Sequence, residues 1–409
     1  MNIAIIGGGA AGFFAAITCA ETNPDCQVTI FERGKSVLEK VRVSGGGRCN
    51  VTHACFDARE LVKSYPRGSR ELLGPFMQFG PEQTVAWFEQ RGVRLKTEAD
   101  GRMFPNTDDS QTIIDCLSRA AHQAGVKVLT STRVEKIERI LPFASADGVP
   151  PLSNRWRIGS EIFDKIMLAT GSSTTVWEWL RELGHDIVPP VPSLFTFNTK
   201  DTRLRDLAGV SVPKAWLNIP GTKLTAEGPL LVTHWGLSGP AVLRISAWGA
   251  RELHEKGYKF SLEVNFSGEK NPMAAGDVLN KIKLESGKKL VAANTQMELP
   301  TRLWQRLVEA AGIAPERRWA DLGKADLQAL TSQMVAAQFQ ITGKSTFKEE
   351  FVTAGGVSLK EVNFKNFESK ICPGLFLAGE VLDIDAITGG FNFQAAWTGG
   401  WLAGKAMGG

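Results

Sequence analysis

An apolar strand that runs straight into Gly7-Gly8-Gly9-Ala10-Ala11-Gly12 opens this chain, and it limits the fold more than anything that follows. Residues 2–6 are Asn-Ile-Ala-Ile-Ile, and Phe13 to Ala20 continue with helical character. In such a strand–turn–helix each glycine of Gly-x-Gly-x-x-Gly has its own task. Gly7 allows the tight turn, Gly9 lets backbone approach a pyrophosphate, and Gly12 lets the helix pack close to the strand. The positive end of the helix then faces the phosphates. A second strand, Gln27 to Phe31, ends in Glu32, twenty residues beyond Gly12. A carboxylate there accepts hydrogen bonds from both hydroxyls of an adenosine ribose and repels a 2′-phosphate. The combination predicts an α/β unit that binds an adenine dinucleotide through Gly7, Gly9, Ala10, Ala11, Gly12, Glu32 and the adjacent Arg33.

A chain of 409 residues predicts two or three domains. With 43% hydrophobic and 22% charged residues it has the composition of a globular protein. No run approaches the roughly 18 apolar residues of a membrane span, and the glycine-broken start does not read as a secretory signal. Six cysteines without a CxxC pair argue against a disulfide framework, a zinc ribbon or a dithiol centre, and a reducing cytoplasm is the natural reading. Five histidines show no metal-ligand spacing, so no metal is expected. The net charge of +4 identifies no partner by itself. Two stretches, Arg33 to Arg70 and Lys270 to Lys324, lean basic, as a solvated face or a phosphate-binding face would.

Further along, helices are expected over Pro81–Arg91 and Gln111–Ala124, and strands over 126–129, 133–140, 155–158 and 163–169. Pro189-Pro190-Val191-Pro192 breaks the pattern as a domain crossing would. Strands follow at 194–197, 215–219, 230–234 and 260–266, then a helical stretch. After 351 the chain resumes strand, glycine turn and helix, with a strand at Leu375–Leu377 and a small-residue helix over 393–406. The economical architecture is a Rossmann-like domain built from both chain ends, 1–190 and 352–409. The insertion, 191–351, would be β-rich over 193–270 and helical over 271–340, leaving a cleft between domains for substrate.

The segment Leu375-Phe376-Leu377-Ala378-Gly379-Glu380 ends a strand in an acid, and Gly389-Gly390-Phe391-Asn392-Phe393 opens the last helix. It resembles the second FAD-binding signature of the two-dinucleotide-binding-domain flavoproteins. That resemblance implies that Glu380 holds a ribityl hydroxyl or lies near the pyrophosphate, and that the helix end faces the flavin pyrimidine. It further implies that backbone at Arg133-Val134 contacts adenine and that Ala169-Thr170-Gly171 closes the FAD domain. Ser44-Gly45-Gly46-Gly47-Arg48-Cys49-Asn50, Gly101-Arg102-Met103-Phe104-Pro105, His234-Trp235-Gly236-Leu237-Ser238-Gly239-Pro240 and Thr353-Ala354-Gly355-Gly356-Val357 occur in that order. Together the chain resembles a bacterial NAD(P)/FAD-dependent oxidoreductase family that carries an aminoacetone-oxidase-like label. The resemblance implies reduction of conjugated carbon–carbon double bonds. One branch makes dihydrouridine in large-subunit ribosomal RNA, and another reduces unsaturated bile-acid intermediates. Ser172-Ser173 and His53 depart from the glycine and asparagine common in relatives.

Three residues carry open alternatives. Cys49 could protonate a substrate carbon after hydride transfer from the flavin, or simply pack beside the ring. Arg48 could anchor an anionic substrate or a flavin carbonyl. His234 could donate a proton at a domain mouth or brace its own loop. The glycines at 45–47, with Ser44 and Asn50, are expected along the flavin. Gly343-Lys344-Ser345-Thr346 lacks the first glycine of a phosphate loop, since Gln338 stands there. With no second Gly-x-Gly-x-x-Gly turn, the reductant is expected to be transient NAD(P)H or another external donor. Uridine in structured RNA is the preferred substrate on this reading. A small-molecule enone reductase or amine oxidase is the alternative enzyme, and a flavin-binding sensor is the non-enzymatic one.

Overall fold

The computed structural model describes residues 1–141, 154–267, 272–345 and 352–409. Lys270, the expected division at 270/271, Thr346 and Phe351 lie outside the described residues. The chain divides into two compact units, Met1–Val191 with Val352–Gly409, and Pro192–Phe351.

The first unit is built on a parallel sheet. Its strands run in the order Leu375–Leu377, Lys165–Leu168, Asn2–Ile6, Gln27–Phe31, Lys127–Leu129. Two short antiparallel strands, Glu368–Ser369 and Val362–Asn363, extend one edge. The opening strand sits at the centre, and Ile3, Ala4 and Ile5 are fully buried. A strand covered on both faces needs an unbroken apolar run, as this sequence supplies.

Two helices pack against each other beneath this sheet's glycine turn, Ala10–Thr22 and Phe391–Gly408. The last helix carries Gly400, Gly404 and Gly408 on one stripe. A Cβ on them would lie 2.5, 2.5 and 2.8 Å from the carbonyl oxygens of Ala11, Ala15 and Cys19. The glycines therefore let two backbones approach to a distance no other residue permits. Around the pair, Phe14 contacts Phe79, Trp87 and Trp397 with ring centroids 4.5–5.6 Å apart.

Three expectations need correction. The strand expected over 133–140 is regular only at Glu138–Ile140, because residues 131–132 instead bond the turn after Glu32, Thr132 N to Glu32 O at 2.8 Å. The division between the units falls within the proline run, after Val191, but the run does not interrupt the strand pattern. Ile187–Ser193 is a strand that pairs with Val352–Val357 in a two-stranded sheet, where prolines are tolerated. Gly355 accommodates it, since a Cβ there would sit 2.6 Å from Pro190 Cα. The helical stretch of the second unit ends at Val335, and Ala337–Ile341 is an edge strand.

Where the chain returns, a polar network ties 185–186 to 361–372. His185 Nδ1 donates to Glu361 at 2.9 Å, and Ser369 Oγ donates to His185 Nε2 at 3.1 Å. The order serine, histidine, carboxylate looks like a hydrolytic relay. Both Ser369 and His185 are buried, and Ser369 Oγ also accepts from Cys372 N at 2.9 Å. It is a structural clamp.

The second unit has a seven-stranded antiparallel sheet in the order 337–341, 260–265, 211–218, 225–232, 236–238, 196–198, 343–345. Helices Pro240–Trp248, Thr301–Ala310 and Lys324–Val335 contribute to its core, with Trp304 and Trp319 stacked at 6.2 Å. Gly343–Ser345 is a strand in this sheet, and Lys344 lies 5.0 Å from the Tyr258 ring.

Gly404→Leu should destabilise the fold by about 3 kcal/mol, because a backbone carbonyl cannot yield as a side chain can. The exposed neighbour exchange Lys405→Ala should cost less than about 0.5 kcal/mol. Denaturant unfolding of the two variants checks this. Equal stabilities would show that the helix contact does not depend on the glycine stripe.

Candidate functional site

Glu32 is fixed by the turn it is expected to serve. Its two carboxylate oxygens accept from Gly8 N at 2.8 Å and Gly34 N at 2.7 Å. Of the roughly four lone-pair directions of a carboxylate, the two not taken by these amides are enough for two ribose hydroxyls. A Cβ on Gly12 would lie 2.0 Å from Gly7 O, so helix and turn touch through backbone. Gly9 is different, with nothing within 4 Å of a built Cβ, which leaves a bare approach at the helix end beside Ala10 and Ala11.

A cavity adjoins this turn. It is lined by Ile6, Gly7, Phe31, Glu32, Arg33, Val134 and Thr170, among others. Thr170 Oγ1 is buried there without a hydrogen-bond partner. An orphaned hydroxyl in a cavity beside a ribose-type carboxylate fits a polar ligand, and FAD satisfies both. Gly171 has φ +64° and stands 3.7 Å, from a built Cβ, to Glu380 Oε2.

The Ser44–Asn50 segment is not a plain loop. A helical stretch, Glu39–Gly47, kinks at Ser44, and Gly45, Gly46 and Gly47 follow with φ of +58°, +69° and +84°. All three glycines are exposed. Ser44 Oγ donates to Val41 O at 3.0 Å, closing the turn. Arg48 is turned to its own neighbours. Its Nη1 lies 2.6 Å from Glu98 and 3.4 Å from Asp108, and the guanidinium stacks 4.0 Å over Phe104. Cys49 is fully buried, and burial pushes its thiol up to about 12, partly offset by Ser44.

Asn50 joins this segment to the last helix. With its amide oriented to satisfy both groups, it accepts from Gly390 N at 3.0 Å and donates to Thr52 O at 3.0 Å. Thr52 Oγ1 donates to Gln394 at 2.6 Å, and Trp397 Nε1 donates to Val51 O at 2.9 Å. Phe391 and Phe393 are packing residues, the latter stacked on Trp397 at 5.5 Å. Asn392 braces the preceding loop through both backbone groups of Ala386, at 3.0 and 3.2 Å. The backbone at Gly389-Gly390 is what the helix end presents.

The structure adds residues that sequence reasoning did not place in the site. His53 stacks on Phe391 at 4.5 Å and contacts Gly389 O through Nδ1 at 3.1 Å; its burial lowers its basicity. Tyr65 donates to Phe391 O at 2.6 Å. Arg67 and the buried Asp385 form an ion pair, and Lys40 pairs with Glu380 at 2.5 Å. Position alone marks His53, three residues beyond Asn50; nothing in sequence marks the two ion pairs. His234 is in the second unit, exposed with Trp235 at the tip of the hairpin between 225–232 and 236–238.

The basic stretch 33–70 is less available than its composition implies. Lys40, Arg42, Arg48, Lys63 and Arg67 each sit in an ion pair. Arg33, Lys35, Arg59 and Arg70 are exposed. Among the described residues no group of His, Cys, Asp or Glu is placed to hold a metal ion, and no helix is long and apolar enough to cross a membrane.

Residues 1–406 match the model of the HI0933-like protein Rossmann domain family. The chain is 31% identical to a 3-dehydro-bile acid delta(4,6)-reductase of Clostridium scindens, over 99% of this chain and 98% of that one. It is 29% identical to a ribosomal RNA dihydrouridine synthase of Haemophilus influenzae, over 96% and 95%. A solved 3-ketosteroid-delta4-(5alpha)-dehydrogenase from Rhodococcus jostii RHA1 shares the fold at 14% identity and a TM-score of 0.50, over 100% of this chain and 96% of that one. A glycine turn with its ribose-type acid, an acid-ended strand and a bare helix end thus stand in a chain that belongs to the HI0933-like Rossmann family of FAD-dependent oxidoreductases.

Proposed function

We propose that this protein uses FAD to reduce a carbon–carbon double bond conjugated to a carbonyl, and that its substrate is uridine in large-subunit ribosomal RNA. The observation that carries the reading is the convergence of two bare backbone surfaces. The exposed glycines at 45–47 are tied by Asn50 to the Gly390 end of the last helix. When bound, FAD supplies the hydride chemistry. The chain's residues hold and orient it. The Gly9–Ala11 amides would hold the pyrophosphate, Glu32 the ribose, Val134 the adenine, and Glu380 the ribityl chain. The amide end of the last helix favours negative charge at the pyrimidine edge, an effect of about 0.3–2 kcal/mol.

Uridine suits such a site because its C5=C6 bond is conjugated to the C4 carbonyl. Hydride adds at C6 and a proton at C5. Cys49 is a poor source of that proton, since a thiol near 12 gives it up reluctantly at neutral pH. His53, half-buried beside Gly389, is no better a source, since burial lowers its basicity and its Nδ1 already contacts Gly389 O. With one dinucleotide turn present, NAD(P)H or another external donor supplies electrons transiently. A small conjugated enone is the second reading, favoured by the 31% identity to the bile-acid reductase and by the internal pairing of five cations in 33–70.

Denatured protein should release non-covalent FAD, identified by mass, and Glu32→Ala should raise the FAD dissociation constant by at least about tenfold, since two charge-assisted bonds each contribute roughly 1.5–3 kcal/mol. A colourless protein, or Glu32→Ala binding as tightly as the parent, would count against this cofactor assignment.

Thiol labelling checks the Cys49 argument. Native protein treated with a maleimide at neutral pH should be modified at the half-buried Cys55 and not at Cys49, with peptide mapping as the readout. Rapid labelling of Cys49 would show an accessible, acidic thiol instead.

Deleting the gene should remove a dihydrouridine from large-subunit ribosomal RNA, read by mass spectrometry, and purified protein with a reductant should restore it. Raising salt should depress that activity steeply through counterion release. Unchanged RNA in the deletion strain, with turnover of a neutral enone insensitive to salt, would transfer the assignment to the small molecule.

A further inference from the structure

The two halves of the site pose an electrostatic problem. A pyrophosphate is expected at the end of the first helix, near Gly9–Ala11, and Glu380 stands beside that place. Gly379 lies against the helix, where a built Cβ would be in van der Waals contact with Ala11 Cβ at 3.5 Å. The Glu380 carboxylate reaches the Gly171 turn and is only 17% exposed. A half-buried carboxylate next to a doubly charged pyrophosphate is a like-charge contact, and like charges at short range disfavour the bound state.

Lys40 stands at the junction. Its segment is anchored to the dinucleotide turn, because Leu38 N donates to Gly8 O at 2.8 Å. Two residues on, Lys40 Nζ meets Glu380 Oε2 at 2.5 Å, across 340 positions of sequence. Of the nearby cations, Arg42 is directed to Gln111 and Glu39, and Arg33 lines the cavity at the Glu32 end. The ion pair found for Glu380 is the one with Lys40.

We propose that Lys40 is a positioning residue for the cofactor, whose ammonium neutralises Glu380 so that this acid and the FAD pyrophosphate can occupy adjacent positions. The proposal rests on the FAD reading above. It assigns to Glu380 a conditional role. The carboxylate is useful to the ribityl chain only while its charge is compensated. An exposed ion pair serving folding alone contributes little, so a purely structural Lys40 would leave cofactor affinity almost untouched.

The test is a double-mutant cycle on FAD affinity. Protein stripped of FAD is titrated with FAD, and quenching of flavin fluorescence gives the dissociation constant for the parent, Lys40→Met, Glu380→Gln and the double variant. Lys40→Met should weaken binding at least about tenfold when Glu380 is present and less than about threefold when it is Gln, while Lys40→Arg stays close to the parent. Thermal unfolding of the stripped forms, expected to coincide, separates affinity from folding; if Lys40→Met does not fold, Lys40→Gln replaces it in the cycle. A Lys40→Met loss below about twofold, or an equal loss in both backgrounds, overturns the proposal and leaves the FAD reading standing. A parent that takes up no FAD overturns both.

Discussion

The contact between the first and last helices governs the site. Ala11, Ala15 and Cys19 meet Gly400, Gly404 and Gly408 in the same chain direction, so the helices are parallel. That register has a consequence for electrostatics. Gly400 lies nine residues into its helix, whereas Ala11 lies one residue into its own. The last helix therefore overshoots the first by eight residues, about 12 Å at 1.5 Å per residue. Two positive helix ends point the same way at different heights, as a long molecule with charge at its middle and its far end would require. A bulky residue anywhere on the glycine stripe would separate the backbones and lose that offset.

Given this frame, a few hydrogen bonds locate the second helix end. Asn50, Thr52 and the Val51 carbonyl all bind the last helix, and Tyr65 holds the Phe391 carbonyl. Because these bonds come from the residues just after 45–47, the glycine run cannot move independently of the helix. The same packing explains the fate of Cys49. It is enclosed between an exposed turn and a buried anchor, and enclosure raises its pKa. Staying neutral costs nothing at neutral pH, whereas ionising it would bury a thiolate that Ser44 only partly offsets.

Local signals were legible in the sequence wherever structure is decided locally. The opening turn, Glu32, the strand Leu375–Leu377 and the Gly389-Gly390 helix start depend on backbone rules that a short window reveals. What failed depended on partners distant in sequence. Residues 133–137 are expected to continue a strand but follow a segment already committed to the Glu32 turn. Pro189 and Pro190 read as a break, yet Gly355 admits them as a paired strand. Arg48 looked like a ligand in a glycine segment, and Glu98, Asp108 and Phe104 claim it. Lys40 carried no signal at all, because its meaning comes from an acid 340 positions away.

The same long-range pairing bears on substrate choice. Net charge in 33–70 suggests attraction to phosphates, but a cation already held by Glu98, Asp385 or Glu380 releases fewer counterions on meeting RNA. Phosphate contacts through that stretch, if RNA is the substrate, would fall to the exposed Arg33, Lys35, Arg59 and Arg70. Phosphate contacts position a nucleic acid without reading its sequence, whereas a base must be read by stacking and hydrogen bonds. A flat ring conjugated to a carbonyl is common to uridine and to an enone, so stacking alone serves either. The phosphate chain is the part only RNA possesses, and the salt dependence of turnover is therefore the property that separates the two substrates.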